Sequence, residues 1–107
     1  MASPSKAKGN RAEVKIVKFL QDAGVEAKRA WGSNGRSFGM HEEVDVLALG
    51  NCKIQVKARK ALPAIIRDAL TEHVDVAVLM QDRTTPVVVM RLDDFAEILK
   101  NYGWKKN

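Results

Sequence analysis

The stretch that most constrains the fold is EVDVLALGNCKIQVKARK, residues 43–60. Two apolar runs flank a turn at Gly50-Asn51, and Asp45, Gln55 and Lys57 interrupt them. Strand side chains alternate between faces, so the length of the turn decides which residues share one. A two-residue loop, Gly50-Asn51, pairs Asp45 with Val56 and leaves polar and apolar residues mixed on both faces. A three-residue loop, Gly50-Asn51-Cys52, pairs Asp45 with Lys57. It gathers Val44, Val46, Ala48, Ile54, Val56 and Ala58 on one wholly apolar face. We prefer the second register on that ground. It also brings Asp45, Gln55 and Lys57 together on the opposite face.

The rest of the chain reads as alternating helices and strands. Ala12, Ile16, Val17, Leu20 and Ala23 recur at helical spacing over residues 11–23, and Gly24 is placed to stop that helix. Glu13 falls in the same stripe, where a carboxylate is costly unless it is paired or metal-bound. Its plainer reading is a boundary residue that reaches solvent or a lysine. Residues 25–31 read as a strand and the Gly- and Ser-rich residues 32–42 as a loop. LPAIIRDALTE, residues 62–72, reads as a second helix with Pro63 in its first turn. VDVAVLM and VVVMRL read as strands about the polar turn QDRTTP. Asp93 or Asp94 can cap a final helix that reaches Leu99. The expected order is α-β-β-β-α-β-β-α, an α/β domain with a mixed central sheet flanked by helices.

A chain of 107 residues points to a single domain. We expect it over residues 10–107, preceded by a flexible basic arm at 1–9 that is either plain terminal disorder or a DNA contact. Eighteen Lys and Arg against thirteen Asp and Glu leave a formal charge of +5, which is an argument about partners rather than fold. Lys6, Lys8, Arg11, Lys15, Lys28, Arg29, Arg36, Arg59 and Lys60 crowd the first sixty residues and predict a phosphate-binding face. Any one of them alone could be simply a solvated charge. Cys52 is the single cysteine, so neither an intrachain disulfide nor a cysteine-rich zinc site is available. No apolar stretch approaches the ~20 residues that span a bilayer, and the N-terminus has no hydrophobic signal region. An intracellular protein is expected.

Asp45, Gln55 and Glu13 are oxygen donors of the kind that hard cations such as Mg²⁺ take. A bound Mg²⁺ polarises a phosphoryl oxygen and acidifies a water, and a lysine such as Lys57 can orient that water or offset transition-state charge. These are the needs of a phosphodiester hydrolase. The bland alternative for Asp45 and Lys57 is a cross-strand ion pair, contributing roughly 0.2–1 kcal/mol. His41 reads as an exposed or DNA-contacting side chain rather than a general base. His73 suits a helix C-terminus, and Trp31 a half-buried strand end.

EVDVLALGNCKIQVKARK resembles the PD-(D/E)XK nuclease motif, in which an acidic residue, a turn and (D/E)-x-K follow in order. Upstream, GNRAEVKIVKFLQDAGVEAKRAWGSNG is similar to the archaeal-type Holliday-junction resolvases of that superfamily. The resemblance implies a restriction-endonuclease-like fold and a homodimer that nicks four-way junctions in pairs, with Mg²⁺ or Mn²⁺. It implies that Glu13 is the helix glutamate supporting metal binding, Asp45 the central ligand and Lys57 the catalytic lysine. Ser33 falls where these resolvases place an active-site serine. Gln55 departs from the pattern, since an amide ligates a cation without contributing charge. Glu43 or Glu42 could compensate, although both read more simply as surface residues at a loop edge. Two other readings remain: an Mrr-like enzyme of the same fold that cuts ordinary duplex, and a nucleic-acid-binding module without activity.

Overall fold

The computed structural model describes residues 4–29, 41 and 43–105, with side chains described from Gly9 onward. The elements run α1 (Pro4–Asp22), β1 (Ala27–Arg29), β2 (Val46–Ala48), β3 (Cys52–Ile54), α2 (Ala64–Arg67), β4 (Val76–Leu79), β5 (Val87–Met90) and α3 (Leu92–Tyr102). This is the expected order. The described strands make two antiparallel sheets, β1-β2-β3 and β4-β5, where the sequence suggested one mixed sheet. Short turns join β2 to β3 and β4 to β5, and a tight turn permits only antiparallel pairing. The chain divides into two compact units, one comprising residues 1–58 and 96–107 and the other residues 59–95.

In the first unit, α1 packs on β1 and β2. The helix starts at Pro4, seven residues before the expected Arg11, and so takes in positions 4–9 that had been read as an arm. Proline suits the first turn of a helix because its missing N–H would have no partner there. The predicted stripe is real: Leu20 and Glu13 are buried, and Ala12, Ile16, Val17 and Ala23 are half-buried. The helix ends in a Schellman motif. The Val25 N–H donates to the Leu20 carbonyl at 2.8 Å, and that of Gly24 to Gln21 at 3.0 Å. Gly24 takes a φ of +89°, which a side chain would resist. Val25 and Leu20 are both buried at this corner and feed the chain into β1. The core of this unit is Leu20, Val25, Ala27, Val44, Val46, Ala48, Cys52, Ala96 and Leu99.

The hairpin confirms the face assignment and corrects the register. Val44, Val46, Ala48 and Cys52 are buried and Ile54, Val56 and Ala58 half-buried, whereas Lys53, Gln55 and Lys57 are exposed. The loop holds three residues, but they are Leu49-Gly50-Asn51: Ala48 pairs with Cys52, and Val46 with Ile54. Leu49 and Gly50 adopt φ of 56° and 77°, and the Asn51 N–H donates to the Ala48 carbonyl at 3.2 Å. Two successive positive φ values are what a type I′ hairpin turn requires. Cys52 thereby joins the apolar face, where a thiol behaves as a small hydrophobe. Burial also pushes its thiol pKa up. At the tip, the Asn51 side-chain amide donates to the Trp104 carbonyl.

The second unit holds α2 and the β4-β5 hairpin. α2 spans four residues rather than the eleven expected over 62–72, and none of them is buried. A short helix without a packed face has nothing to offset its nucleation cost. The Arg91 guanidinium donates to the carbonyls of Val74 and Thr71 at 3.0 and 2.8 Å, fastening the approach to β4 to the end of β5.

Candidate active site

Antiparallel order brings three sequence-distant positions to one end of the first sheet. Arg29 closes β1 and pairs with Val46, Asp45 immediately precedes β2, and Gln55 follows β3. Beyond Ile54 the regular ladder stops. The Asp45 N–H donates to the Ile54 carbonyl at 2.9 Å, and the Val56 N–H turns to the Asp45 carboxylate, Oδ2, at 2.7 Å. Asp45 thus stands in for a main-chain acceptor, which fixes its side chain against the segment that carries Gln55 and Lys57.

Glu13 reaches this point from α1. Its carboxylate is within hydrogen-bonding reach of Asp45, and its Oε2 accepts the Arg29 Nε–H at 2.9 Å. The pair is unequal: the Glu13 side chain is 6% exposed and that of Arg29 32%. Burial lifts the Asp45 pKa above its usual 3.8, and the neighbouring Glu13 charge and hydrogen bond lift it further. The Val56 N–H and the Lys57 ammonium pull in the opposite direction without cancelling the rise.

Of the residues predicted from sequence, Glu13 and Lys57 therefore both act on Asp45, and Gln55 is an exposed side chain on the same short segment as Lys57. Asp45 lies across from Gln55 in the observed register, not from Lys57. Among the described residues no three His, Cys, Asp or Glu converge on one point, so Glu43 does not complete an acidic triad. The Glu43 N–H instead donates to His41 Nδ1 at 3.1 Å, in an exposed turn. Ser33, Arg36 and Glu42, and the side chain of Lys8, lie outside the described residues. Arg11 is exposed on α1, while Arg59 and Lys60 are exposed in the second unit.

Sequence reasoning missed the role of Arg29. The sequence pattern suggests only a phosphate contact for it, yet it is the counter-ion of the buried glutamate. The signal was available: Val25, Ala27 and Arg29 alternate, so Arg29 shares the inward face of β1. A cation that faces inward needs an anion, and Glu13 was the carboxylate already placed in the core.

The element order is that of a small α/β protein compatible with the restriction-endonuclease-like fold, and a buried acid, a second acid and a lysine gather at one end of its first sheet. The family model of the archaeal Holliday junction resolvases, Hjc, matches residues 4–69, well over half of the chain and the whole of that acidic site. The protein belongs to this family, and a nuclease of the resolvase kind is what membership implies. Among curated proteins and among solved structures, nothing matches the chain significantly.

Proposed function

We propose that the protein is a divalent-cation-dependent, structure-selective DNA endonuclease that resolves four-way junctions by paired nicks as a homodimer. The observation that carries this reading is the approach of Asp45 to the buried Glu13 at the sheet end bearing Lys57, within the segment that matches the resolvase family. Two carboxylates within hydrogen-bonding reach of each other, one of them nearly buried, fit a hard cation, which favours clustered oxygen donors. Asp45, Glu13 and Gln55 would hold Mg²⁺, or Mn²⁺ in its place. When bound, the ion would polarise a phosphoryl oxygen and make a water a better nucleophile.

The chain's own groups do the rest. The Val56 N–H holds the Asp45 carboxylate through Oδ2. Lys57, exposed beside Asp45, orients the attacking water or offsets the charge that develops on phosphorus. Ser33 would assist at the same phosphate. Lys8, Arg11, Arg29, Ser33, Arg36, Arg59 and Lys60 are the proposed contacts to DNA, which would place the protein's work inside a cell. Dimerisation draws support from the β4-β5 hairpin. Val76, Val78 and Val88 share one face and stand 43%, 58% and 63% exposed, with Met80 beyond them. Apolar surface of this kind marks an interaction site.

A gel assay comparing a four-way junction with linear duplex, each with and without Mg²⁺, tests the reading. Symmetric nicks confined to the junction support it. Equal cutting of both substrates would favour a duplex nuclease of the same fold. Metal-independent binding without cleavage would mean that Gln55 has cost the chain its activity. Lys57→Ala is expected to abolish nicking and leave junction affinity within a few-fold, as read by gel shift.

A further inference from the structure

Glu13 is the one buried charged side chain among the described residues, and it has two prospective counter-ions. In the structure it has Arg29. In the nuclease reading, on which this inference rests, it must also serve a cation. A nearly buried carboxylate cannot stand alone, because desolvation without a partner is far costlier than the pair itself. Arg29 is the less buried member of the pair. A third of its side chain is exposed, and a guanidinium recognises a phosphate as readily as a carboxylate. Gln55 sharpens the competition: with an amide at that position, two carboxylates, Glu13 and Asp45, face two cations, Arg29 and Lys57. Among these described groups the charges match, so a metal that comes to Glu13 must compete with Arg29 for it.

We infer that Arg29 is an exchangeable counter-ion, a positioning residue that couples DNA binding to metal binding. With DNA absent it guards Glu13 and keeps the site closed to divalent cations. When a DNA phosphate reaches the site, Arg29 pivots onto it and Glu13 is released to share a cation with Asp45. Metal and DNA then bind cooperatively, and by linkage each raises the affinity of the other by the same factor.

The test is Mn²⁺ binding to the full chain, followed by the loss of the free-ion paramagnetic resonance signal, with and without a saturating four-way junction. The Asp45→Asn complex with the same DNA serves as the blank for ions held by DNA alone. Wild type is expected to bind Mn²⁺ at least about fivefold tighter with the junction than without it, the low end of usual coupling. Arg29→Gln, checked for folding by circular dichroism, is expected to bind Mn²⁺ tighter than wild type when DNA is absent, and to gain less from the junction. A wild-type affinity unchanged by DNA overturns the inference, and so does an Arg29→Gln protein that binds the free ion no better. If the glutamine variant does not fold, Arg29→Lys replaces it and the wild-type comparison still decides. Running each sample on a gel separates the two claims: coupling without cleavage sinks the nuclease reading alone, and cleavage without coupling sinks the exchange alone.

Discussion

At the scale of single residues, the site is held together by groups that satisfy one another's charge. Asp45 illustrates the tension. Its pKa is raised, so the folded state disfavours the carboxylate. The stability this group contributes is fully present below its ordinary value near 3.8 and is lost as pH rises through the lifted value. At neutral pH the fold therefore bears the cost of burying the Asp45 carboxylate and, added to it, the repulsion from Glu13. Asp45→Asn, whose amide oxygen can still accept the Val56 N–H, is expected to melt at a higher temperature than wild type at pH 7. That advantage should shrink as the buffer is taken toward pH 3.8, while nicking is lost throughout. A scanning-calorimetry series across pH, beside the junction assay, checks both halves. Gln55→Glu returns an acid to the site and is expected to lower the Mg²⁺ concentration for half-maximal cleavage. An unchanged requirement would show that the amide was not the weak ligand. What the sequence made legible here was composition, the carboxylate in a helical stripe and the polar trio in a hairpin. The Val56 N–H bond was not legible, because it depends on where the ladder breaks.

At the scale of elements, periodicity was a good guide wherever burial enforced it. The α1 stripe and the apolar hairpin face were read correctly because one face of each is packed, and a slip of one residue would expose the whole set. The register was misread by two residues, since a shift of two keeps every side chain on its face. Turn chemistry then had to decide, and Leu49 gives no hint that it adopts a positive φ. α2 was over-read for the opposite reason: its apolar residues have helical spacing but no surface in the described chain that buries them. A second left-handed residue, Arg83, at φ 64°, is exposed in the turn between β4 and β5. Such a conformation costs roughly 1–2 kcal/mol for most residues and less for asparagine. Arg83→Asn is accordingly expected to raise unfolding stability by up to about 1 kcal/mol, read from urea denaturation, with cleavage untouched.

At the scale of the whole molecule, basic residues gather in the first sixty positions and exposed valines on β4 and β5. The basic residues of the first sixty positions suit a polyanion, whereas the exposed valines of β4 and β5 suit another protein surface. Val78→Glu places a charge in the middle of that apolar face. If the protein is the homodimer proposed above, this variant is expected to run as a monomer by light scattering and to give single rather than paired nicks. A variant that stays dimeric would move the interface elsewhere. Neither the two-unit division nor the separate sheets could be read from the sequence, because strand order depends on pairings between segments far apart in the chain.

The bond from Asn51 to the Trp104 carbonyl makes the carboxyl-terminal stretch a latch on the tip of the β2-β3 ribbon. Cutting the chain after Gly103 would unfasten that tip while sparing every acid and lysine at the ribbon's far end. A truncation meant only to tidy the tail would thus loosen the arm on which Asp45 and Lys57 are mounted.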